Sequence, residues 1–317
     1  MSVVFDSCTN VRDEQCASSV LCVSGRDRSA ASEFITMRLF ITGGKGMLGR
    51  TLQRQLKDHN LFVADLPEVD ISHAVGVDQA VAAFRPDVII HAAAMTQVDA
   101  CETDSDKAFR VNALGSANVA RAASRHGARL IALSTDYVFD GALDRPYHEF
   151  DLPAPKTVYG ASKWAGEEAV RHHCPDHTIL RIAWLYGEDG PSFVHTMLKL
   201  GRQEGLPVKV VSDQLGNPTS TDAVAGLIVF LLDHPVPGVV HGSCEGEASW
   251  YDFAKQVFSC VGMHREVLPC TTAEFPRPAP RPANSRLEKR VLRLSGFPPM
   301  PHWKKALESY LRSAGIV

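Results

Sequence analysis

An α/β fold, a Rossmann-type doubly wound parallel sheet with a smaller C-terminal lobe, is predicted by three features of this 317-residue sequence. Short apolar runs alternate with amphipathic stretches from Met37 to Gly187. The first run ends in a glycine-rich turn, and the second closes on an acidic residue, Asp65. Alternating strands and helices imply a parallel sheet covered on both faces. A glycine turn followed about 20 residues later by an acid is the dinucleotide-binding arrangement.

The elements follow in order. "MRLFIT" reads as a strand, "GGKGMLG" as a tight turn and "RTLQRQLKDH" as an amphipathic helix. "LFVA" is the second strand, "VDQAVAAF" a helix and "PDVIIHAAA" a buried strand. "KAFRVNALGSANVARAASRHG" reads as one long helix and "ARLIALSTDYVF" as another buried strand. The helix in "TVYGASKWAGEEAV" and the strand "HTILRIAWLYG" complete the series. After Gly187 the rhythm breaks, although "TDAVAGLIVFLLDH" reads as a buried helix and "HWKKALESYLRSAG" as a last one. The predicted division is a dinucleotide-binding domain over 37–187, with a later contribution from about 208–233. Residues 188–317 are mainly a substrate-binding lobe over the carboxyl edge of the sheet.

Composition narrows the partners. An apolar share of 45% and a charged share of 22% are those of an ordinary soluble chain, and a net charge of -3 gives no case for nucleic acid or an anionic membrane. The longest apolar run, Ala223 to Leu232, is too short for a membrane span. Eight cysteines without a C-x-x-C pair point to reduced thiols and a cytoplasmic location. Residues 1–36 are rich in Ser, Asp and Arg, with no sustained period and no secretory or mitochondrial pattern. They read as a disordered extension, or as sequence upstream of a natural start at Met37. Cys8, Cys16 and Cys22 within it lack a matching ligand cluster.

Gly43, Gly46 and Gly49 form G-x-x-G-x-x-G between strand and helix, where backbone can approach a pyrophosphate at a helix N-terminus. Gly44 to Thr51 also spells G-x-x-x-x-G-R-T, but Arg50 replaces the phosphate-reaching lysine of a nucleotide-triphosphate loop. Asp65 stands where a carboxylate bonds the adenosine ribose. It accepts from a 2′-hydroxyl and repels a 2′-phosphate, favouring NADH, while Lys45 and Arg50 soften that preference. Asp70 and Ile71 would lie near the adenine.

Tyr159 and Lys163 share a helical face, being four residues apart. Taken alone the pair is better read as the polar face of a solvated surface helix. After a dinucleotide turn, it fits a proton donor whose pKa an adjacent ammonium lowers. Lys163 also suits the nicotinamide ribose. Ser134 and Thr135, at the preceding strand end, offer a hydroxyl to a substrate carbonyl. Trp184 is either a core aromatic or a substrate contact, and its place at a strand's carboxyl end favours contact. Arg281 suits either a nucleotide diphosphate or a solvated loop; Asn284 either contacts substrate or turns the chain. "HHCPDH" reads as a helix end stopped by Pro175 rather than a zinc cluster, and Asn112, disfavoured mid-helix, as structural or water-holding.

G-x-x-G-x-x-G, "HAAAMTQVD", "STDYVFDG", Y-x-x-x-K, "RIAWLYG", "DQLGNPT" and "RPANSRL" follow in the order of the extended short-chain dehydrogenase/reductases. The set resembles the dTDP-4-dehydrorhamnose reductases over nearly everything from Met37 onward. That resemblance implies NADPH- or NADH-dependent reduction of the 4-keto group of a sugar nucleotide, dTDP-4-dehydro-L-rhamnose. It implies Tyr159 as proton donor, Thr135 on the carbonyl, and Asp136 and Trp184 holding the sugar nucleotide. Gly46, Met47, Leu48, Asp65, Asp70, Ile71, Ala94, Met95, Thr96, Tyr159 and Lys163 match cofactor positions. Some relatives carry a metal at a homodimer contact; its acidic residues are not evident here, and no metal is expected. The regulatory β-subunit of methionine adenosyltransferase resembles the same family, as do sugar-nucleotide epimerases, so both stand as alternatives. A chain beginning at Met37 should fold and turn over like the full sequence; a melting temperature lowered by more than a few degrees would show that the extension packs.

Overall fold

The computed structural model describes residues 36–317 apart from Glu204, so the extension expected over 1–36 lies, save for Thr36, outside the described residues. Six strands form one parallel sheet: β1 (Arg38–Thr42), β2 (Asn60–Ala64), β3 (Val88–His91), β4 (Arg129–Thr135), β5 (His177–Ile182) and β10 (Gly238–His241). Their order is β10-β5-β4-β3-β1-β2. The chain therefore reverses direction across the sheet at β1, with β2 on one side and β3 on the other. In such sheets the crevice at the reversal, beyond the carboxyl ends, receives the ligand.

Side-chain alternation divides the core. Leu39, Ile41 and Ile90 face α1 (Met47–Gln55) and α8 (Thr221–Asp233). Phe40, Ile89 and Leu130 face α2 (Ala74–Phe84), α5 (Gly115–Arg125) and α6 (Val158–His173). Each of these fully buried side chains contributes roughly 1.5–3 kcal/mol of burial free energy. Covering both faces explains why the strands read as continuous apolar runs.

Three local departures from the expected elements matter for the site. The long helix expected over 107–127 is interrupted: α3 (Val98–Thr103) and α4 (Ser105–Phe109) precede a π-helical turn at Arg110–Leu114, and α5 continues it. Asn112 occupies that turn, fully buried. The run "HTILRIAWLYG" is not one strand; β5 ends at Ile182, Trp184 turns left-handed with φ 49°, and β6 (Leu185–Tyr186) resumes. Of the stretch 208–233, only α8 packs on the main sheet. β7 (Val208–Val211) pairs instead with β12 (Val267–Cys270), and the added sheet strand is β10.

The C-terminal lobe gathers α7 (Phe193–Gly201), α9 (Trp250–Cys260) and α11 (Trp303–Ser313) around Phe253, Val257, Leu307 and Leu311. β8 (Leu215–Gly216), β9 (Thr219–Ser220), β11 (Ala248–Ser249) and β13 (Asn284–Ser285) complete it, whereas the short α10 (Arg290–Leu294) returns to pack on the main sheet beside β10.

Helix α6 begins where Thr157 caps it, its side chain accepting from Gly160 N at 3.0 Å. Two glycines let this helix approach its neighbours. A Cβ on Gly160 would run into the Tyr137 carbonyl, and one on Gly166 into the Asn112 carbonyl and Ser116. Gly166→Val should therefore lower stability by about 1–3 kcal/mol through overpacking. Gly226→Ala, in α8 with nothing near its missing Cβ, should stabilise by about 0.5–1 kcal/mol. Urea denaturation reads both, and an unchanged midpoint in Gly166→Val would show that α6 has room to spare.

Candidate active site

The β1–α1 turn lies directly on the loop after β3. Gly43 has φ 71°, and a Cβ there would sit 2.6 Å from Ala93 N. Gly49 is pressed against the Gly43 carbonyl, so any side chain at either position would push the turn off the sheet. Gly46 caps α1 without a side-chain hydrogen bond, leaving first-turn N–H groups free for an anionic ligand.

A cavity of about 1060 Å³ opens from this turn across the carboxyl edge of the sheet to the C-terminal lobe. Gly43, Gly46, Met47, Leu48, Gly49, Asp65, Asp70, Ile71, Ala94 and Thr96 line one end, and Thr135, Asp136, Tyr159, Lys163, Trp184 and Arg281 line the rest. A dinucleotide fits this donor set: a side-chain-free cradle for phosphates, then an acid beside it. Asp65 Oδ2 accepts from Lys45 N at 2.7 Å and Oδ1 from Leu66 N at 2.8 Å. The acid thus holds the glycine turn as well as facing the cavity. Asp70 Oδ1 accepts from Ser72 N at 2.8 Å, a bond that holds its carboxyl below the usual range.

Met95 does not reach the cavity wall. Its backbone is clamped by Asn112, whose Oδ1 accepts from Met95 N at 2.8 Å while Nδ2 donates to Met95 O at 3.1 Å and Ser162 Oγ at 3.0 Å. The π turn thereby fastens the loop after β3 to α6. Such turns recur at functional sites.

Thr135 ends β4 and donates through Oγ1 to Asp136 Oδ1 at 3.0 Å, while Tyr137 N donates back to Oγ1 at 3.3 Å. The Thr135 hydroxyl also lies near enough to the Tyr159 phenol to favour its ionised form. The lowered Tyr159 pKa expected from Lys163 is not what the geometry gives. Burial pushes the phenol well above its ordinary value, and the Thr135 hydroxyl only partly offsets this. Lys163 Nζ instead donates to Leu133 O at 2.7 Å, and burial lowers its own pKa to about 8 against the opposing charge of Glu167. Tyr159 is accordingly a phenol that keeps its proton.

On the substrate side, Asp136 is raised to about 6 by burial, and its Oδ2 has no hydrogen-bond partner among the described residues. An unpaired buried acceptor in a cavity wall suits a ligand hydroxyl. Trp184 lies flat on Trp250, with ring centroids 3.5 Å apart, and against Gly216. Arg281 lines the cavity but is held by Asp99, Nη2 to Oδ2 at 2.9 Å. Asn284 is not brought into the cavity. Its Nδ2 donates to Leu143 O and Arg145 O at 2.8 and 2.7 Å, and its Oδ1 accepts from Arg286 N, so it turns the chain.

Several wall residues escaped the sequence reading. Tyr137 packs edge-on against Tyr159 at 5.4 Å. Its place beside Asp136 in "STDY" was an available signal. Trp250, Gln214, Lys209 and Arg277 also line the cavity; they arrive from distant segments without a local spacing. Replacing Asp65 with serine should raise affinity for NADPH relative to NADH by about tenfold, the scale of one removed charge contact. Binding of both should weaken as Lys45 N loses its acceptor. A fluorescence titration showing an unchanged ratio would mean that Asp65 does not face the ribose.

Comparison with known proteins places this geometry in a family. Residues 37–315 match the RmlD substrate binding domain family. The spore coat polysaccharide biosynthesis protein SpsK of Bacillus subtilis (strain 168) is 41% identical over 277 residues, covering 87% of this chain and 97% of the relative. A dTDP-4-dehydrorhamnose reductase of Mycolicibacterium smegmatis is 40% identical over 288 residues, covering 89% and 87%. A crystal structure of dTDP-4-dehydrorhamnose reductase from Bacillus anthracis in complex with NADP superposes with TM-score 0.86 at 41% identity, covering 88% of this chain and 100% of that one. With the glycine turn, the Tyr159–Lys163 helix and Thr135 gathered in one cavity, the chain belongs to the RmlD family of dTDP-4-dehydrorhamnose reductases.

Proposed function

We propose that this protein reduces the 4-keto group of dTDP-4-dehydro-L-rhamnose to give dTDP-L-rhamnose, with NADPH or NADH. The observation that carries the reading is the meeting of Tyr159, Thr135 and Lys163 in the cavity that also holds the glycine turn and Asp65. The dinucleotide, when bound, supplies the hydride; Gly43, Gly46, Gly49 and Asp65 would hold its phosphates and ribose, with Lys163 near the nicotinamide end. NADP in the relative's crystal structure supports the phosphorylated form as one of the two.

Tyr159 gives its phenolic proton to the oxygen of the carbonyl as that oxygen takes on charge. Burial keeps the phenol protonated until such a base appears, which suits a donor better than a group already ionised. Thr135 orients the carbonyl and the phenol through its hydroxyl. Lys163, one turn along α6, offsets the charge left on the phenolate. Asp136 offers Oδ2 to a sugar hydroxyl, and Trp184 gives the sugar an apolar wall. Arg281 can meet the diphosphate only by leaving Asp99. The same reading has a cytoplasmic enzyme acting on a small molecule, alone or as a homodimer; the described cysteines are free thiols.

The test is oxidation of NADPH or NADH by the purified protein with dTDP-4-dehydro-L-rhamnose. Tyr159→Phe should cut turnover by roughly 10²–10⁴, the range of general acid–base catalysis, with cofactor affinity nearly unchanged. Lys163→Met should impair both. Wild-type protein that binds the dinucleotide tightly yet never oxidises it with any 4-keto sugar nucleotide would instead fit a regulatory subunit.

A further inference from the structure

Beneath the site lies a buried acid that neither the cofactor role nor the substrate role uses. Glu167 follows Tyr159 and Lys163 at four-residue steps on α6, so the three share one side of the helix. Only 3% of Glu167 is exposed. Its Oε1 accepts from Ser134 Oγ at 2.5 Å and from Arg181 Nε at 2.8 Å. Its Oε2 accepts from Arg181 Nη2 at 2.6 Å and, more loosely, from Arg171 Nη2 at 3.4 Å. Ser134 and Arg181 are register partners on β4 and β5. Ser134 immediately precedes Thr135, and Arg181 leads along β5 toward Trp184. One carboxylate therefore ties the helix carrying the proton donor to two strand ends that carry its partners.

Stability alone is a poor reason for this arrangement. A buried ion pair recovers little more than its desolvation cost, and apolar replacements of similar volume are often as stable. What an apolar cluster would not supply is a fixed register among α6, β4 and β5, or a negative charge near Lys163. We infer that Glu167 is a positioning residue for the reduction, locking α6 onto β4 and β5 and setting a carboxylate one helical turn behind the Lys163 amine. This rests on the reductase reading above.

The surrounding groups leave Glu167 as the charge that favours the Lys163 ammonium. Burial lowers the Lys163 pKa to about 8, and Glu167 is the group that opposes it. His91, on β3, is pushed down to about 3 by burial and by Lys163 itself, so it stays neutral. His241, on β10, sits near Arg181 and is likewise driven neutral by burial. Tyr159, on α6, keeps its proton. Arg181 and Arg171 are cations already engaged by Glu167. The sign follows: without the carboxylate the lysine loses its proton at lower pH, and activity that needs the ammonium falls earlier as pH rises.

The experiment uses the full chain. Glu167→Gln keeps the shape and removes the charge; Glu167→Asp keeps the charge and shortens the reach. NMR of isotope-labelled lysine, assigned with Lys163→Met, reads the Lys163 midpoint without cofactor or substrate. In Glu167→Gln the midpoint should drop by about one pH unit, a tenfold change in proton affinity. The alkaline limb of kcat should move with it, while KM for the sugar nucleotide stays close to wild type. Glu167→Asp should restore the midpoint but leave kcat reduced by at least about tenfold, the scale of a misplaced reacting group. An unchanged Lys163 midpoint in Glu167→Gln overturns the inference, whether or not the protein reduces anything. A shifted midpoint in a protein whose wild type reduces no 4-keto sugar nucleotide removes only the reductase reading. Should Glu167→Gln fail to fold, Glu167→Asp and Ser134→Ala carry the test, and wild-type kcat in both overturns it.

Discussion

Lys163 is a charged amine buried where α6 crosses the carboxyl end of the sheet, and much of the neighbouring structure exists to make that position tolerable. An isolated buried ammonium would lose its proton or force the helix outward. Its first relief is the Leu133 carbonyl, a strand-end acceptor within 2.7 Å. That contact requires α6 to lie close to the end of β4, where Gly160 leaves room for the Tyr137 carbonyl, while Gly166 lets the π turn and α5 close on the helix's other flank. Its second relief is Glu167, which in turn needs Arg181 and Ser134. A single cation thus gives a reason for Gly160, a buried ion pair and the strand-end serine that joins it.

The same crossing sets up the cavity. Because α6 is held on β4, Thr135 and Tyr159 approach from strand and helix, and neither can move without disturbing the buried contacts behind it. β5 runs alongside and then breaks at Trp184, whose left-handed backbone turns the indole across the gap onto Trp250 of the second lobe. That stack makes a wall shared by both lobes. Asp99 and Arg281 form a second bridge, from α3 to the segment before β13. The lobes meet around the site rather than beside it, so a ligand in the cavity touches residues widely separated in sequence.

What was legible in the sequence was what local geometry dictates. The glycine turn, Asp65 closing β2, and the Tyr159–Lys163 pair each depend on residues a few positions apart with a known backbone period. All of them line one cavity. The rest depends on partners that no spacing announces. Arg281 looked free to meet a phosphate because Asp99, 182 positions away, was invisible. Asn284 stayed open between a ligand contact and a chain turn because the carbonyls of Leu143 and Arg145 that claim it belong to another segment. The contribution expected from about 208–233 comes through α8 alone, because Val208–Val211 finds its strand partner in Val267–Cys270, far along the chain. The Tyr159 reading failed differently. Lys163 is near in sequence, but its ammonium is spent on a carbonyl, and burial governs the phenol.

Burial acts on three groups of this site at once, and its consequences differ by group. For Tyr159 it raises the pKa, which agrees with the proposed role of an acid that holds its proton until an alkoxide forms. For Asp136 it raises a carboxyl to about 6; below that pH the group carries a proton and no longer offers two acceptors to a sugar hydroxyl. For Lys163 it lowers an ammonium to about 8; above that pH the cation proposed to steady the phenolate is lost. Asp136 is ionised above the first value and Lys163 charged below the second, with Tyr159 protonated throughout. The three conditions of the proposed roles are met together between about 6 and about 8, so in that reading one physical cause, exclusion of water from the strand ends, both suits the donor and bounds the pH range of its partners.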